Sequence, residues 1–203
     1  MIKIWGRTDS SNVQKVLWCL GELGLPFERQ DWGGKFGGNK DNDYLAMNPN
    51  GLVPTIQDGD FILWESNAIL RYLAHKSGRF RPAGPNVGSI ADQWMDWQQT
   101  TYNIHVSPIF INMIRTPPEK RDIPLVERSR KDVTEQAQIL DAHLDKNDYV
   151  AGKEFSIGDI PVAITTYRFL ALVSDRPPLP HLQRWYDAVS ARPAFKEHIP
   201  PLT

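Results

Sequence analysis

Residues 2–20 leave few folds open to this chain. Ile2-Lys3-Ile4-Trp5 is a short β-branched run, Gly6 to Asn12 is small and polar, and Val13, Val16, Leu17 and Leu20 then recur at the spacing of one helical face. The order is strand, loop, helix. Asp9, Ser10, Ser11 and Asn12 are all good N-cap residues, so whichever of them caps the helix, the others lie beside its unpaired N–H groups. A positive helix end lined with hydroxyls stabilises an anion, either a phosphate or carboxylate oxygen or a thiolate sulfur.

The residues that follow extend this opening into a small α/β domain. Gly24 can close the first helix, and Leu25 to Trp32 reads as a second strand, giving a βαβ unit. Gly33 to Gly38 is a glycine-rich loop. It is either a plain connector or the flank of a ligand cleft in which Trp32, Phe36 or Lys40 touches the ligand. Asp43 to Asn48 reads as a short helix stopped by the turn Asn48-Pro49-Asn50-Gly51. Leu52 to Gln57 and Phe61 to Trp64 form an antiparallel hairpin across Asp58-Gly59. Pro54 has no ladder donor and belongs at a strand start or edge. A cis Val53-Pro54 bond would leave the Val53 N–H and C=O open to a peptide-like ligand. Glu65-Ser66-Asn67 then caps an apolar-faced helix through Leu73 and Ala74, a second helix start with a free hydroxyl.

Gly78 to Ser89 is rich in glycine and proline and reads as a linker, after which no strand alternation is convincing. Ala91 to Asn112 reads as a long aromatic-rich helix bent at Ser107-Pro108, followed by helices over Pro124 to Leu144, Ile160 to Val173 and Pro180 to Ala191. Ser156-Ile157-Gly158-Asp159 is a capping box with aspartate in the place of glutamate. The expected division is therefore 1–78 as an α/β domain, 79–88 as a linker and 89–203 as an all-helical domain.

A net charge of −1 with no long block of like charge gives no surface suited to nucleic acid or anionic lipid. No apolar run approaches about 18 residues, so neither a membrane span nor a targeting segment is expected and the location is expected to be cytoplasmic. A single cysteine, Cys19, excludes an intrachain disulfide, and the five histidines show no metal-ligand spacing.

Three separated motifs carry a resemblance: Ser10-Ser11-Asn12, then Asn48 to Thr55, then Glu65-Ser66-Asn67-Ala68-Ile69-Leu70-Arg71-Tyr72-Leu73. With the capping box at Ser156 to Asp159 as a fourth, the chain resembles the cytosolic glutathione transferases along nearly its whole length. It is similar to the serine-type branches (theta, delta, zeta) and to bacterial forms with an asparagine nearby, since no tyrosine precedes Tyr44. The implied fold is a thioredoxin-like N-terminal domain with a mixed four-stranded sheet, followed by an all-helical C-terminal domain.

The resemblance also implies roles. Ser10 matches the serine-type hydroxyl and Asn12 the asparagine-type amide, both pointing toward one glutathione sulfur, and Ser11 between them is a third catalytic candidate. Val53 offers its main chain to the cysteinyl part of glutathione, with Pro54 cis, while Ser66 binds the γ-glutamyl carboxylate and Glu65 its ammonium. Lys40 or Lys35 is the candidate for the glycyl carboxylate, because Leu52 stands where many relatives have lysine or glutamine. Trp32, Phe36, Tyr102, His105 and Phe110 are candidates for the electrophile pocket. Cys19 lies nine residues past Ser10, about 13 Å along a helix, and reads as a core thiol.

The implied activity is glutathione transfer: reduced glutathione, bound as co-substrate without a metal, is ionised and attacks a small electrophile in detoxification. A homodimer is implied as well. A glutathione-dependent peroxidase or disulfide reductase at the same site, and a non-catalytic glutathione-binding module, are the alternatives.

Overall fold

The computed structural model describes residues 1–81 and 83–202. In chain order the elements are β1 (Ile2–Trp5), α1 (Ser11–Leu23), β2 (Phe27–Gln30), α2 (Asn42–Met47), β3 (Thr55–Asp58), β4 (Phe61–Trp64), α3 (Ser66–Ser77), α4 (Pro85–Trp97), α5 (Asn103–Phe110), α6 (Ile123–Leu144), α7 (Asp159–Leu172), α8 (Pro180–Ser190) and α9 (Pro193–His198). Two compact units result, Met1–Arg81 with Arg192–Pro200, and Pro82–Ala191 with Pro201–Thr203.

The first unit is built on a four-stranded mixed sheet in the order β2-β1-β3-β4. β1 and β2 run parallel across the α1 crossover, while β3 is antiparallel to both β1 and β4. This is the thioredoxin-like sheet with the hairpin on its other side. Ile2 and Ile4 of β1 and Ile56 of β3 bury their side chains with Val13, Val16 and Leu20 of α1 and with Ile69, Leu70 and Leu73 of α3. The helical and strand periodicities thus meet in one core. Gly24, at φ 66°, ends α1 in the left-handed conformation that glycine adopts without a Cβ clash.

Register decides what happens at one end of this sheet. Trp5 pairs with both Gln30 and Thr55, and Thr55 pairs with Trp64. The residues that follow β1, β2 and β4 and the residues that precede β3 therefore emerge together. Those are the segments holding Ser10, Trp32, Glu65-Ser66 and Val53-Pro54.

The second unit is helical. Asp159, fully buried at the start of α7, accepts hydrogen bonds from the Val150 N–H at 3.0 Å, the Ser156 N–H at 2.8 Å, the Ser156 hydroxyl at 3.1 Å and the Trp185 Nε1–H at 2.9 Å. Burial pushes its carboxyl upward from the ordinary range, and the four donors oppose that. The capping box expected at Ser156 thus also anchors α8 through Trp185.

Two boundaries differ from expectation. Helix α4 begins at Pro85, inside the segment read as linker 79–88; proline suits a first helical turn as well as a loop. The terminal helix α9 belongs with the first unit, not with an all-helical 89–203, because its partners lie on α1 and β2. Trp18 meets Phe195 edge-on with ring centroids 5.0 Å apart, Arg192 grips the Glu22 carboxylate through Nε and an Nη at 2.7 Å each, and His198 lies against the Phe27 ring. The long aromatic helix also runs on through Pro108. It departs from α geometry at two π turns, Gln98–Tyr102 and Ile111–Arg115, where wider turns absorb irregularity. No helix among the described residues is long and apolar enough to cross a membrane, and none of their His, Cys, Asp and Glu side chains group to hold a metal.

Candidate functional site

Ser10 is the N-cap of α1, with extended backbone angles (φ −85°, ψ 120°), yet its hydroxyl makes no capping bond to the helix. Its carbonyl accepts the Gln14 N–H at 2.9 Å, the first bond of the helix, and its hydroxyl is not used in capping. Ser11 is the first helical residue. Asn12, the second, accepts a hydrogen bond from the Ser66 hydroxyl through Oδ1 at 3.3 Å. That bond joins the start of α1 to the start of α3.

Charge near Ser10 is balanced locally. Asp9 would oppose a bound anion, but Arg7 Nε lies 3.0 Å from its carboxylate. The Arg7 side chain runs under the β2–α2 loop so closely that a Cβ on Gly34 would meet Nε at 2.8 Å. Glycine suits position 34 because of its φ of +59°, and any larger residue there would also have to displace the Arg7 side chain.

Val53-Pro54 is cis, as the family resemblance implies. No hydrogen bond among the described residues takes up the Val53 N–H or C=O, which precede β3 and lie outside its ladders. Val53 is half-buried, and main-chain groups left outside a ladder in this way are available to the backbone of an extended ligand. Next to them, Glu65 holds φ 72° and ψ 110°, far from the helical and extended regions that non-glycine residues favour. Its carboxylate has no ion-pair partner among the described residues. Strain of this order, about 1–3 kcal/mol, persists where function requires the geometry. Ser66 is buried at the first position of α3.

Lys40, a glycyl-carboxylate candidate, is exposed and donates from Nζ to the Asn50 carbonyl at 3.3 Å. It stands over the turn that leads into Leu52 and Val53. Trp32 stacks on Tyr44 with centroids 6.0 Å apart, and its indole N–H is buried without a partner among the described residues. Gly38 crosses it closely enough that a Cβ would lie 2.5 Å from the ring. Phe36 is exposed at the end of a short 3-10 turn.

The candidates of the second unit separate. Tyr102 and Phe110 fall on the same buried face as Val106 and Ile109. Tyr102 stacks on Trp97 at 5.0 Å, receives the Thr166 hydroxyl at 3.4 Å, and has its phenol pushed up by burial. Arg168 lies 3.9 Å over the Phe110 ring. His105 keeps an exposed face and sits 3.6 Å from the Asp132 carboxylate. Cys19 is fully buried, which pushes its thiol far above the range where it ionises.

Residues that single-sequence reasoning passed over surround the Val53 turn. Tyr44 donates its hydroxyl to the Leu52 carbonyl at 2.7 Å and contacts Thr55 Oγ1 at 2.8 Å, while Asn48 Nδ2 reaches the same two oxygens at 2.8 and 3.1 Å. In the sequence Asn48 reads as a turn residue at the head of the second motif, and Tyr44 as a residue of the short helix before it; neither carries a role at Val53 there.

Comparison with known proteins adds to this geometry. A family model described as "Glutathione S-transferase, N-terminal domain" matches residues 9–76, and one described as "Glutathione S-transferase, C-terminal domain" matches residues 102–193. Glutathione S-transferase GstB of Escherichia coli strain K12 is 46% identical over 204 residues, covering 98% of each chain. Glutathione S-transferase 3 of Zea mays is 32% identical, covering 98% of this chain and 93% of that one. Among solved structures, the theta class glutathione S-transferase from Xanthomonas axonopodis pv. citri with glutathione bound superposes with a TM-score of 0.96 at 41% identity, over 100% of this chain and 99% of the other.

Proposed function

The chain belongs to the glutathione S-transferase family, and from that membership we propose that it works as such an enzyme, ionising the thiol of reduced glutathione for attack on a small electrophile. The observation that carries the reading is the convergence at one end of the sheet. An uncommitted hydroxyl at Ser10, an unpaired main-chain pair at Val53 and a strained Glu65 before the buried Ser66 emerge side by side from β1, β3 and β4.

Each feature suits one part of the tripeptide. Ser66 and the first N–H groups of α3 receive the γ-glutamyl carboxylate, and the Glu65 carboxylate receives its ammonium. The Val53 N–H and C=O pair with the cysteinyl main chain, which fixes where the sulfur lies. Lys40 faces the glycyl carboxylate.

At the sulfur the task is electrostatic. A free cysteine thiol with a pKa of about 8.5 is only slightly ionised at neutral pH, and lowering it by about two units takes roughly 2.7 kcal/mol of preference for the anion. The Ser10 hydroxyl donating to sulfur, the Asn12 amide and the N-terminal dipole of α1 are of that combined size. Ser10 is therefore a donor to the thiolate and not itself a nucleophile, and Arg7 keeps Asp9 from opposing it. The thiolate then attacks by displacement or addition, aided by its fixed position. On the first unit, Trp32 and Phe36 are the candidates for contact with the electrophile. Detoxification, a homodimeric assembly and a cytoplasmic location complete the proposal.

The test is difference absorbance of the bound thiolate, together with glutathione turnover on an alkyl halide, an epoxide, an organic peroxide and a mixed disulfide. Ser10→Ala is expected to raise the bound thiol pKa by about one to two units and to slow turnover at neutral pH. A normal bound pKa in the wild-type protein with no turnover on any of the four would overturn the transferase reading.

A further inference from the structure

The peptide unit between Leu52 and Val53 carries both halves of an argument about aim. The unit is planar and trans, the only cis bond being the next one, Val53-Pro54, among the described residues. In a trans peptide the C=O and the N–H point in opposite directions within one plane. Whatever fixes the direction of the Leu52 carbonyl therefore fixes the direction of the Val53 N–H.

That carbonyl is held by two side chains. The Tyr44 hydroxyl donates to it at 2.7 Å and Asn48 Nδ2 at 2.8 Å. Thr55 Oγ1 closes the set, 2.8 Å from the Tyr44 oxygen and 3.1 Å from Asn48 Nδ2, so the Thr55 hydroxyl can donate to the phenol while accepting from the amide. Asn48 Oδ1 in turn accepts from the Asn50 N–H at 3.1 Å. Tyr44 and Thr55 are fully buried, Asn48 nearly so, and every polar atom of the set has a partner. Trp32 stacked on the Tyr44 ring holds the phenol in place from one side. Burial pushes the Tyr44 phenol upward, and it stays protonated as the donor the geometry needs.

We propose that Tyr44 is a positioning residue for glutathione: by gripping the Leu52 carbonyl together with Asn48, it aims the Val53 N–H at the cysteinyl carbonyl of the bound tripeptide. The proposal rests on the glutathione site put forward above and adds a residue that does not touch the ligand. Leu52 itself is exposed and its side chain makes no part of this, so the control acts through the peptide plane alone.

Isothermal titration of the intact protein with reduced glutathione decides it, using Tyr44→Phe, Ser66→Ala and a comparator, Tyr72→Phe. The comparator loses a phenol bond of similar length, 2.8 Å to Asp58, in the same unit but away from Val53. Tyr44→Phe keeps the ring and its stacking and is expected to weaken glutathione by about three- to tenfold, the loss of one hydrogen bond's alignment. KM for glutathione rises by the same factor, while the bound thiol pKa, set at Ser10, does not move. Tyr72→Phe leaves glutathione affinity at the wild-type value. Thr55→Val, which removes the brace of the phenol, gives a smaller loss in the same direction and decides the case if Tyr44→Phe does not fold. Wild-type affinity in Tyr44→Phe, or an equal loss in Tyr72→Phe, overturns the positioning role. Failure of the wild-type protein to bind glutathione, or indifference to Ser66→Ala, overturns instead the site on which it rests.

Discussion

The Ser66 hydroxyl donates to Asn12 Oδ1 across 3.3 Å, tying the first residue of α3 to the second residue of α1. Two helix starts that would each hold an anion are thereby locked to each other. Without glutathione the amide oxygen of Asn12 receives the Ser66 hydroxyl proton, and the Asn12 NH2 is the part that can face a sulfur. Ser66 has only that one proton, which has to turn from Asn12 to the γ-glutamyl carboxylate on binding. Ser66→Ala is therefore expected to weaken glutathione by about tenfold, the loss of a hydrogen bond to a carboxylate less the bond given up to Asn12. Asn12→Ala should weaken it less and also raise the bound thiol pKa. Because the two side chains touch, their effects should not add, and a double-mutant cycle in titration calorimetry should return a coupling of about 0.5–1.5 kcal/mol. Full additivity would mean that the two helix starts act independently.

Glu65 separates function from stability. Its φ of 72° is costly for any residue with a Cβ, whereas glycine adopts it freely. Glu65→Gly should therefore raise the stability of the protein by about 1 kcal/mol in urea unfolding, after the greater freedom of glycine in the unfolded chain is subtracted. The same variant loses the carboxylate proposed to receive the glutathione ammonium and should bind glutathione more weakly. A drop in stability instead would show that the side chain supports α3.

How far the sequence foretold this site follows from the range of each interaction. Ser10, Val53-Pro54 and Glu65-Ser66 announce themselves locally, as helix caps and as a proline where a ladder donor is missing, and the fold follows from strand and helix periodicity. The pairing of Asn12 with Ser66 links positions 54 residues apart, and no local pattern encodes it. The same holds for α9, whose docking depends on Trp18, Glu22 and Phe27, and for Tyr44, whose hydroxyl matters only once Leu52 is folded against it. Tyr102 and Phe110 show the converse: aromatic side chains on a long helix suit a pocket and a core equally well until the buried face is known.

Asp159 supplies a prediction about the second unit. One carboxylate accepts four hydrogen bonds in a fully buried place. Asp159→Asn keeps the size but turns an NH2 toward two of the donors, leaving them buried and unpaired. Such losses cost about 1–3 kcal/mol per group, so a total near 3 kcal/mol or more is expected in the urea midpoint. Glutathione affinity of the folded fraction should stay unchanged, because none of the four donors belongs to the first unit.

His198 makes the docking of α9 sensitive to acid. Its side chain is largely buried beside Phe27 and under α1, where a Cβ on Gly21 would meet Nε2 at 2.8 Å. Burial lowers its pKa from 6.5, and Glu197, 3.9 Å away, opposes that only in part. Near and below 6.5 the unfolded chain then binds more protons at this residue than the folded one, so stability rises with pH through that window. The contribution is fully present above 6.5 and is lost as pH falls through the lower folded value. Cooling the comparison to one variable, His198→Gln keeps a polar side chain that does not titrate. Between about pH 7.5 and about pH 5.5 the wild-type melting temperature should therefore fall more than that of His198→Gln. Parallel curves would show that α9 stays docked whether or not the imidazole is charged, and that the Arg192 grip on Glu22 suffices to hold it.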